Sequence, residues 1–288
     1  MSKKLILFVA GFLFLLNIVC WQEVFVLAGP HYLKVDFLDV GQGDSAFIQT
    51  PENHQILIDG GPDASLLGKI SNLMPFWDKT IDLVILTHPE KDHMQGLLDL
   101  LQSYKADYIL WSGVKKTAPE YDQWISILNK QKSWGSKIVI ASSGEEIKVG
   151  NVLLDTLYPL ESLEGKDMKN TSNDSCVVEK LIYGGKSFLF TGDISSVAEK
   201  EMVDGGTNLK ANVLKVAHHG SKYSTSDLFL QNVKPEFAVI EVGKNTYGHP
   251  TPETLQRLEK SGIKVLRTDK DGDVEFLSDG ENLKLIKN

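Results

Sequence analysis

A chain of 288 residues with 42% hydrophobic and 24% charged residues can bury a full core, which excludes a disordered polypeptide and allows one large domain or two small ones. The formal net charge of -8 argues against capture of nucleic acid by long-range attraction, unless a local basic patch or bound metal ions offset it. The two cysteines, Cys20 and Cys176, exclude a disulfide framework and a thiolate metal cluster, so any metal must be held by histidines and carboxylates.

At the N-terminus, Lys3 and Lys4 precede an apolar run from Leu5 to Trp21, broken only by Gly11 and Asn17. This is the layout of an export signal, and Val26-Leu27-Ala28 before Gly29 fits signal peptidase cleavage. The run is also nearly long enough to remain as a membrane anchor, so residues 1–29 are read as either signal peptide or anchor. Bulky Val19 disfavours a lipoprotein site at Cys20. A buried helix at the start of the core is the remaining alternative. With Lys3 and Lys4 on the cytoplasmic side, the rest of the chain is expected to be extracytoplasmic, secreted or anchored to the membrane through this segment.

From Tyr32 the sequence alternates short β-rich runs with helical patterns. Leu33 to Leu38, Ser45 to Thr50 and Gln55 to Ile58 read as strands of a meander. A helix near Ala64 to Leu73 leads to a strand at Ile81 to Leu86, a helix at Asp92 to Tyr104, a strand at Tyr108 to Trp111 and a helix around Tyr121 to Lys130. Strands follow at Ile138 to Ile140, Val152 to Leu157, Cys176 to Tyr183 and Ser187 to Thr191. A helix from Ser195, a strand at Val213 to Val216 and a helix near Ser226 come next. The tail adds strand Phe237 to Ile240, helix Pro252 to Ser261 and strands at Lys264 to Arg267, Val274 to Leu277 and Leu283 to Ile286. With no linker-like or repetitive tract between the halves, residues 30–288 read as a single mixed α/β (α+β) domain.

The main candidate site residues, five of the seven histidines among them, fall in three places at or just after the ends of predicted strands, where rigid scaffolds present functional groups. The first is Thr87-His88-Pro89-Glu90-Lys91-Asp92-His93. In an extended loop His88 and Glu90 project to one side, while Asp92 and His93 open the next helix. Two imidazoles and two carboxylates suit a borderline metal such as zinc or manganese; a polar loop capped by Asp92 is the alternative. The second is Thr191-Gly192-Asp193, where a strand stops at glycine and presents one carboxylate, in a metal bridge or in an ordinary turn. The third is Ala217-His218-His219-Gly220-Ser221-Lys222, followed by Gly248-His249-Pro250; adjacent histidines point apart, so one can bind metal while the other contacts substrate. Upstream, Asp44 and Asp59 lie in glycine-rich strand ends and are candidates for ligands or, better, for groups that support the ligands.

Strand, then His88-x-x-x-Asp92-His93, then Thr191-Gly192-Asp193, then a late histidine is similar to the metallo-β-lactamase superfamily. Leu38-Asp39-Val40-Gly41-Gln42-Gly43-Asp44, Asp59-Gly60-Gly61, Asn173-Asp174-Ser175, His218-His219-Gly220-Ser221 and Gly248-His249-Pro250 resemble the C-terminal hydrolase domain of ComEC-type competence proteins. The resemblance implies a four-layered αβ/βα sandwich with the site at the edge between two sheets. It implies two divalent ions, zinc or manganese: His88 with one of His218 or His219 serves one, Asp92 and His93 serve the other, and Asp193 bridges them. Glu90 stands where the superfamily usually has its second histidine, and Asn173-Asp174 where it has the third; more oxygen ligands favour manganese or weaken zinc. The ComEC membrane channel has no counterpart here, so DNA transport does not carry over.

The expected chemistry is attack by a metal-activated water on phosphorus or a carbonyl carbon. Asp92, His219 and His249 are the candidate catalytic groups, and Ser221 and Lys222 candidate phosphate contacts. The leading expectation is a phosphodiesterase or nuclease acting on DNA or another phosphodiester, with no protein partner inferable. Hydrolysis of another ester, thioester or lactam is a second, and a binding module with a degenerate metal site a third.

Overall fold

The computed structural model describes residues 2–28, 32–167 and 172–286. It divides into two compact units, residues 1–31 and residues 32–288. The expected domain boundary at 29/30 and the candidate cleavage site at Gly29 lie outside the described residues. The first unit is the helix α1 (Lys3–Ala28), with exposed apolar side chains such as Leu7, Phe8 and Phe14. Among the described residues no helix is long and apolar enough to cross a membrane.

The second unit begins with the meander β1 (Leu33–Phe37), β2 (Ala46–Gln49) and β3 (Gln55–Ile58). The chain then alternates α2 (Ser65–Leu73), β4 (Thr80–Leu86), α3 (Lys91–Leu100), β5 (Lys105–Trp111), α4 (Pro119–Ser133) and β6 (Lys137–Ile140), with β3 to β6 parallel. A second sheet starts with the antiparallel strands β7 (Glu146–Val149), β8 (Val152–Tyr158), β9 (Val178–Tyr183) and β10 (Lys186–Phe190). It continues through α5 (Ser196–Asp204), β11 (Val213–Lys215), α6 (Asp227–Val233), β12 (Phe237–Ile240), α7 (Pro252–Lys260) and β13 (Lys264–Arg267), with β10 to β13 parallel. After the single turn α8 (Thr268–Asp271), β14 (Val274–Ser278) and β15 (Leu283–Ile286) return to the first sheet beside β1. The sheet orders are β15-β14-β1-β2-β3-β4-β5-β6 and β13-β12-β11-β10-β9-β8-β7.

The layering follows from strands that are apolar on both faces. In β3, Ile56 and Ile58 face the inter-sheet core with Phe188, Phe190 and Val213, while Leu57 faces α2 and α3. In β4, Leu83 and Ile85 point inward, and Val84 and Leu86 point toward the helices. On the second sheet, Leu189, Leu214 and Ala238 pack outward against α5, α6 and α7. A period of two with both sets of side chains buried reads as a continuous apolar run in sequence, which parallel strands covered on both faces require. The result is the expected four-layered αβ/βα sandwich.

One strand escaped the sequence reading. β7 carries Glu146 and Lys148 exposed, alternating with half-buried Ile147 and Val149, and it lies on a sheet edge; charges on an edge strand blunt self-association and also mask its β pattern.

The second sheet also buries a carboxylic acid. Glu179 in β9 accepts a 2.6 Å hydrogen bond from Thr156 Oγ1 on its Oε1, while its Oε2 has no hydrogen-bond partner. Burial pushes this carboxyl up from 4.5 to about 8, so it is neutral in the folded protein at neutral pH. The unfolded chain ionises it at its ordinary value, so its stabilising contribution is complete below about pH 4.5 and is lost as pH rises through about 8. Glu179→Gln is therefore expected to flatten the decline of melting temperature between pH 5 and 8 and to exceed the wild type at pH 8 by a few kcal/mol. Thermal unfolding of both proteins across that range is the check; parallel curves would contradict it.

Candidate metal centre

The strand ends of both sheets meet the loops that carry the histidines. Asp44 N–H donates to Asp92 O at 3.2 Å and Gly60 N–H to His93 O at 2.7 Å, tying the glycine-rich loops to the start of α3. This approach explains two glycines: a Cβ on Gly43 would stand 2.2 Å from Asp92 O, and one on Gly96 would stand 1.9 Å from Gly60 O. Opposite, His218 and His219 both adopt left-handed backbone, with φ of 52° and 51°. That conformation costs a non-glycine residue about 1–3 kcal/mol. The loop is held by Ser221 N–H to His218 O at 2.9 Å and Thr251 N–H to Gly220 O at 2.9 Å.

Each imidazole is oriented from behind. Asp59, itself at φ 58°, accepts from Thr87 N–H at 2.8 Å and Thr87 Oγ1 at 2.7 Å, and pairs with His93 Nδ1 at 2.8 Å. The Thr87 hydroxyl gives its proton to Asp59, so His88 Nδ1, 3.1 Å from that oxygen, is the donor, which leaves His88 Nε2 with its lone pair free. His219 Nδ1 lies 2.8 Å from Glu241 O, which turns Nε2 toward the site. Supporting hydrogen bonds of this kind fix the tautomer of metal-binding histidines.

Four ligand atoms converge. His93 Nε2 is 3.4 Å and His219 Nε2 3.6 Å from Asp193 Oδ2, and His219 Nε2 is 3.3 Å from Asp92 Oδ2. Buried His88 Nε2, His93 Nε2 and Asp193 Oδ1 have no hydrogen-bond partner, an arrangement that is costly unless a cation completes it. Asp44, His93, Asp193 and His219 each offer one donor atom within 4.8 Å of those of the others. This buried Asp/His group fits a divalent metal.

Asp44 stands behind the cage. Its Oδ1 is 3.2 Å from His219 Nδ1 and its Oδ2 3.6 Å from His93 Nδ1, the ring edges turned away from Asp193, and its Oδ2 pairs with the ammonium of Lys215. Lys215, 2% exposed at the end of β11, also donates to Gly192 O at 2.9 Å and stands 3.6 Å from Asp193 Oδ1.

The electrostatics follow. Burial pushes the Asp193 carboxyl up, but the His219, His93 and Lys215 charges overcome this and hold it well below its usual range. Burial works against charge on His93 and His219 as well, yet Asp193 and Asp44 raise His93 well above its ordinary value and His219 to about 10. His88 goes the other way, to about 3, through burial and the neighbouring His93 charge, so it is neutral. Burial raises the Cys176 thiol, keeping it protonated and out of the ligand set.

A cavity of about 240 Å³ opens over the cage, lined by Gln42, Glu90, Asn173, Tyr247 and His249 with the ligand residues. The sequence profile of the beta-lactamase superfamily domain matches residues 54–210, which carry His88, Asp92, His93 and Asp193. The chain belongs to the metallo-β-lactamase superfamily. Among curated relatives, ComE operon protein 3 of Bacillus subtilis is 34% identical over 264 residues, 84% of this chain and 33% of that protein. Competence protein ComA of Neisseria gonorrhoeae is 29% identical over 247 residues, 83% of this chain and 31% of its own. The chain thus spans about a third of the length of these relatives. Among solved structures, the metallo-β-lactamase-fold protein YhfI of Bacillus subtilis superposes with a TM-score of 0.54 at 13% identity, covering 84% of this chain and 98% of that one. The metallo hydrolase Igni18 of Ignicoccus hospitalis gives 0.53 at 18%, with the same coverage. The resemblance to ComEC-type domains is thereby established for this superfamily member.

The sequence does not decide which of His218 and His219 is the ligand, and the structure separates the two. His219 is buried in the converging set, whereas the His218 side chain is 34% exposed, with Nε2 3.9 Å from Asp193 Oδ2 and Nδ1 3.3 Å from Asn173 Nδ2. Two successive left-handed residues reverse the directions that an extended strand end would give. Glu90 lines the cavity and pairs with Lys116 at 2.6 Å. Asp174 accepts from Ser195 Oγ at 2.6 Å and does not line the cavity. The proposed phosphate contacts are not brought to it either: buried Ser221 Oγ accepts from Tyr223 N–H at 3.4 Å, and the Lys222 ammonium stands over the Tyr223 ring at 5.2 Å. His249 reaches the cavity, its ring 5.4 Å from that of His218 and its Nδ1 without a hydrogen-bond partner. Lys215 and Glu241 are the site groups that sequence reasoning missed; each is a single charge in an otherwise apolar strand end.

Proposed function

We propose that this protein is an exported, metal-dependent phosphodiesterase acting on DNA or a related phosphodiester. The observation that carries the reading is the convergence of His93 Nε2, His219 Nε2, Asp92 Oδ2 and Asp193 Oδ2 beneath an open polar cavity. These four would hold a principal divalent ion, with Asp44 and Lys215 balancing charge behind them. His88 Nε2, with Asp193 and His218 and oxygen from Glu90 or Asn173, would hold a second, weaker one. The oxygen-rich set favours manganese over zinc.

A divalent ion held there supplies Lewis acidity, activating water and screening the negative charge of a phosphodiester. The chain's own groups do the rest. Asp92 and Asp193 accept hydrogen bonds from the attacking water and orient it. His249, held neutral by burial and by the charges of His218 and His219, donates a hydrogen bond to a phosphoryl or leaving oxygen. The Asn173 amide, on the cavity wall, offers a second donor. The name of one relative, competence protein ComA, associates that protein with competence, which supports DNA as the substrate class. Export rests on Lys3, Lys4 and the apolar run after them.

The test is hydrolysis of a small phosphodiester and of labelled single- and double-stranded DNA by the protein loaded with manganese or zinc. Metal-dependent cleavage of DNA is the expected outcome. Cleavage of a carboxylic ester, thioester or lactam and of no phosphodiester would move the substrate class; no turnover at all would leave a binding module.

A further inference from the structure

Of the exposed aromatic residues among those described, Tyr247 is the one that lines the cavity over the metal cage. It is 74% exposed, so its ring is accessible to a ligand entering that cavity. Its ring centroid is 6.0 Å from that of His249, tilted by 33°. The loop that presents both is clasped by one side chain. Asn245 Nδ2 donates to Gly243 O at 2.9 Å and to His249 O at 2.8 Å, while His249 N–H donates to Asn245 Oδ1 at 3.1 Å. Gly248, at φ 77°, makes the turn between the two rings. Tyr247 is therefore held beside the reacting centre on a braced loop, with one face open.

We propose that Tyr247 is a specificity residue, a platform on which an unpaired nucleobase of the substrate stacks while the adjoining phosphodiester lies over the Asp/His cage. The proposal rests on the phosphodiesterase reading and adds the group that recognises the base. Every base offers a flat π-face, so stacking of this kind is tolerant of sequence, whereas a base inside a duplex has both faces occupied and is not available. Because Tyr247 and His249 share one loop, a stacked base fixes the register of the phosphate against the His249 ring. A net charge of -8 makes such a contact more valuable, since long-range attraction contributes little to holding the strand.

The experiment measures binding separately from turnover. Fluorescence anisotropy of a labelled single-stranded oligonucleotide is recorded with the full chain, in chelator at low ionic strength, for wild type, Tyr247→Ala and Tyr247→Phe. The same oligonucleotide made abasic throughout is the control. Tyr247→Ala is expected to weaken binding of the normal strand roughly 10-fold or more and to leave the abasic strand unchanged, with Tyr247→Phe close to wild type. Equal weakening on both strands, or no weakening on either, would overturn the proposal. Cleavage with manganese, assayed in parallel, separates the two readings: stacking lost without any phosphodiester cleavage supports the platform and sinks the phosphodiesterase, and cleavage with unchanged binding in Tyr247→Ala does the reverse.

Discussion

Asp193→Ala is expected to lower metal-dependent hydrolysis by on the order of 10³-fold and to abolish tight metal binding, while leaving the fold intact. The expectation comes from the position of a single oxygen. Asp193 Oδ2 lies 3.4 Å from His93 Nε2, 3.6 Å from His219 Nε2 and 3.9 Å from His218 Nε2, so it is the atom shared by the two imidazoles of the principal position and by His218 beside it. Removing it leaves His93 and His219 without the carboxylate that most raises their affinity for positive charge. The side chain sits at the end of β10, after the turn at Gly192, and carries no core packing, so circular dichroism should be unchanged. Elemental analysis after dialysis, with the hydrolysis rate, is the measurement. A variant that keeps stoichiometric metal would place the ion elsewhere.

Lys215→Met carries the largest expected effect on stability. The ammonium pairs directly with the buried Asp44 carboxylate, and Asp44, Asp193 and Glu241 all favour its charge against the cost of burial. Methionine fills similar volume but leaves the buried Asp44 carboxylate short of a partner. Breaking a buried pair in this way costs about 3–5 kcal/mol, a fall of roughly 6–20 °C in melting temperature for a domain of this size. Asp44→Asn added to Lys215→Met should recover part of the loss, since the orphaned charge is gone. Thermal unfolding in chelator of the four members of this cycle decides the point. Additive losses would mean that the two groups do not act as a pair.

What could be read from the chain beforehand was what depends on pattern. Strands such as β3 and β4 announce themselves because alternate residues feed two cores, and the helix-opening Asp92-His93 and the strand-ending Asp193 are marked by their neighbours. Legibility failed where three-dimensional partners decide the role. Lys215 stands between Leu214 and Val216 and reads as a flaw in an apolar strand until Asp44, distant in sequence, is placed against it. Asp44 itself is a turn residue until Lys215 and two Nδ1 edges surround it. Which of His218 and His219 joins the converging set rests on two left-handed backbone conformations that residue type does not signal. Tyr247 carries no pattern at all; its meaning comes from the Asn245 clasp and from the cavity.

The most direct test of the metal centre is calorimetric titration of manganese into metal-stripped protein, repeated in buffers of different ionisation enthalpy and at several pH values. In the metal-free protein His93 and His219 hold their protons, with His219 raised to about 10, and binding must displace them. The account predicts saturable binding that releases roughly two protons per principal ion at pH 7, with affinity rising as pH rises and collapsing in Asp193→Ala. Binding without proton release, or no binding at any pH, would contradict it.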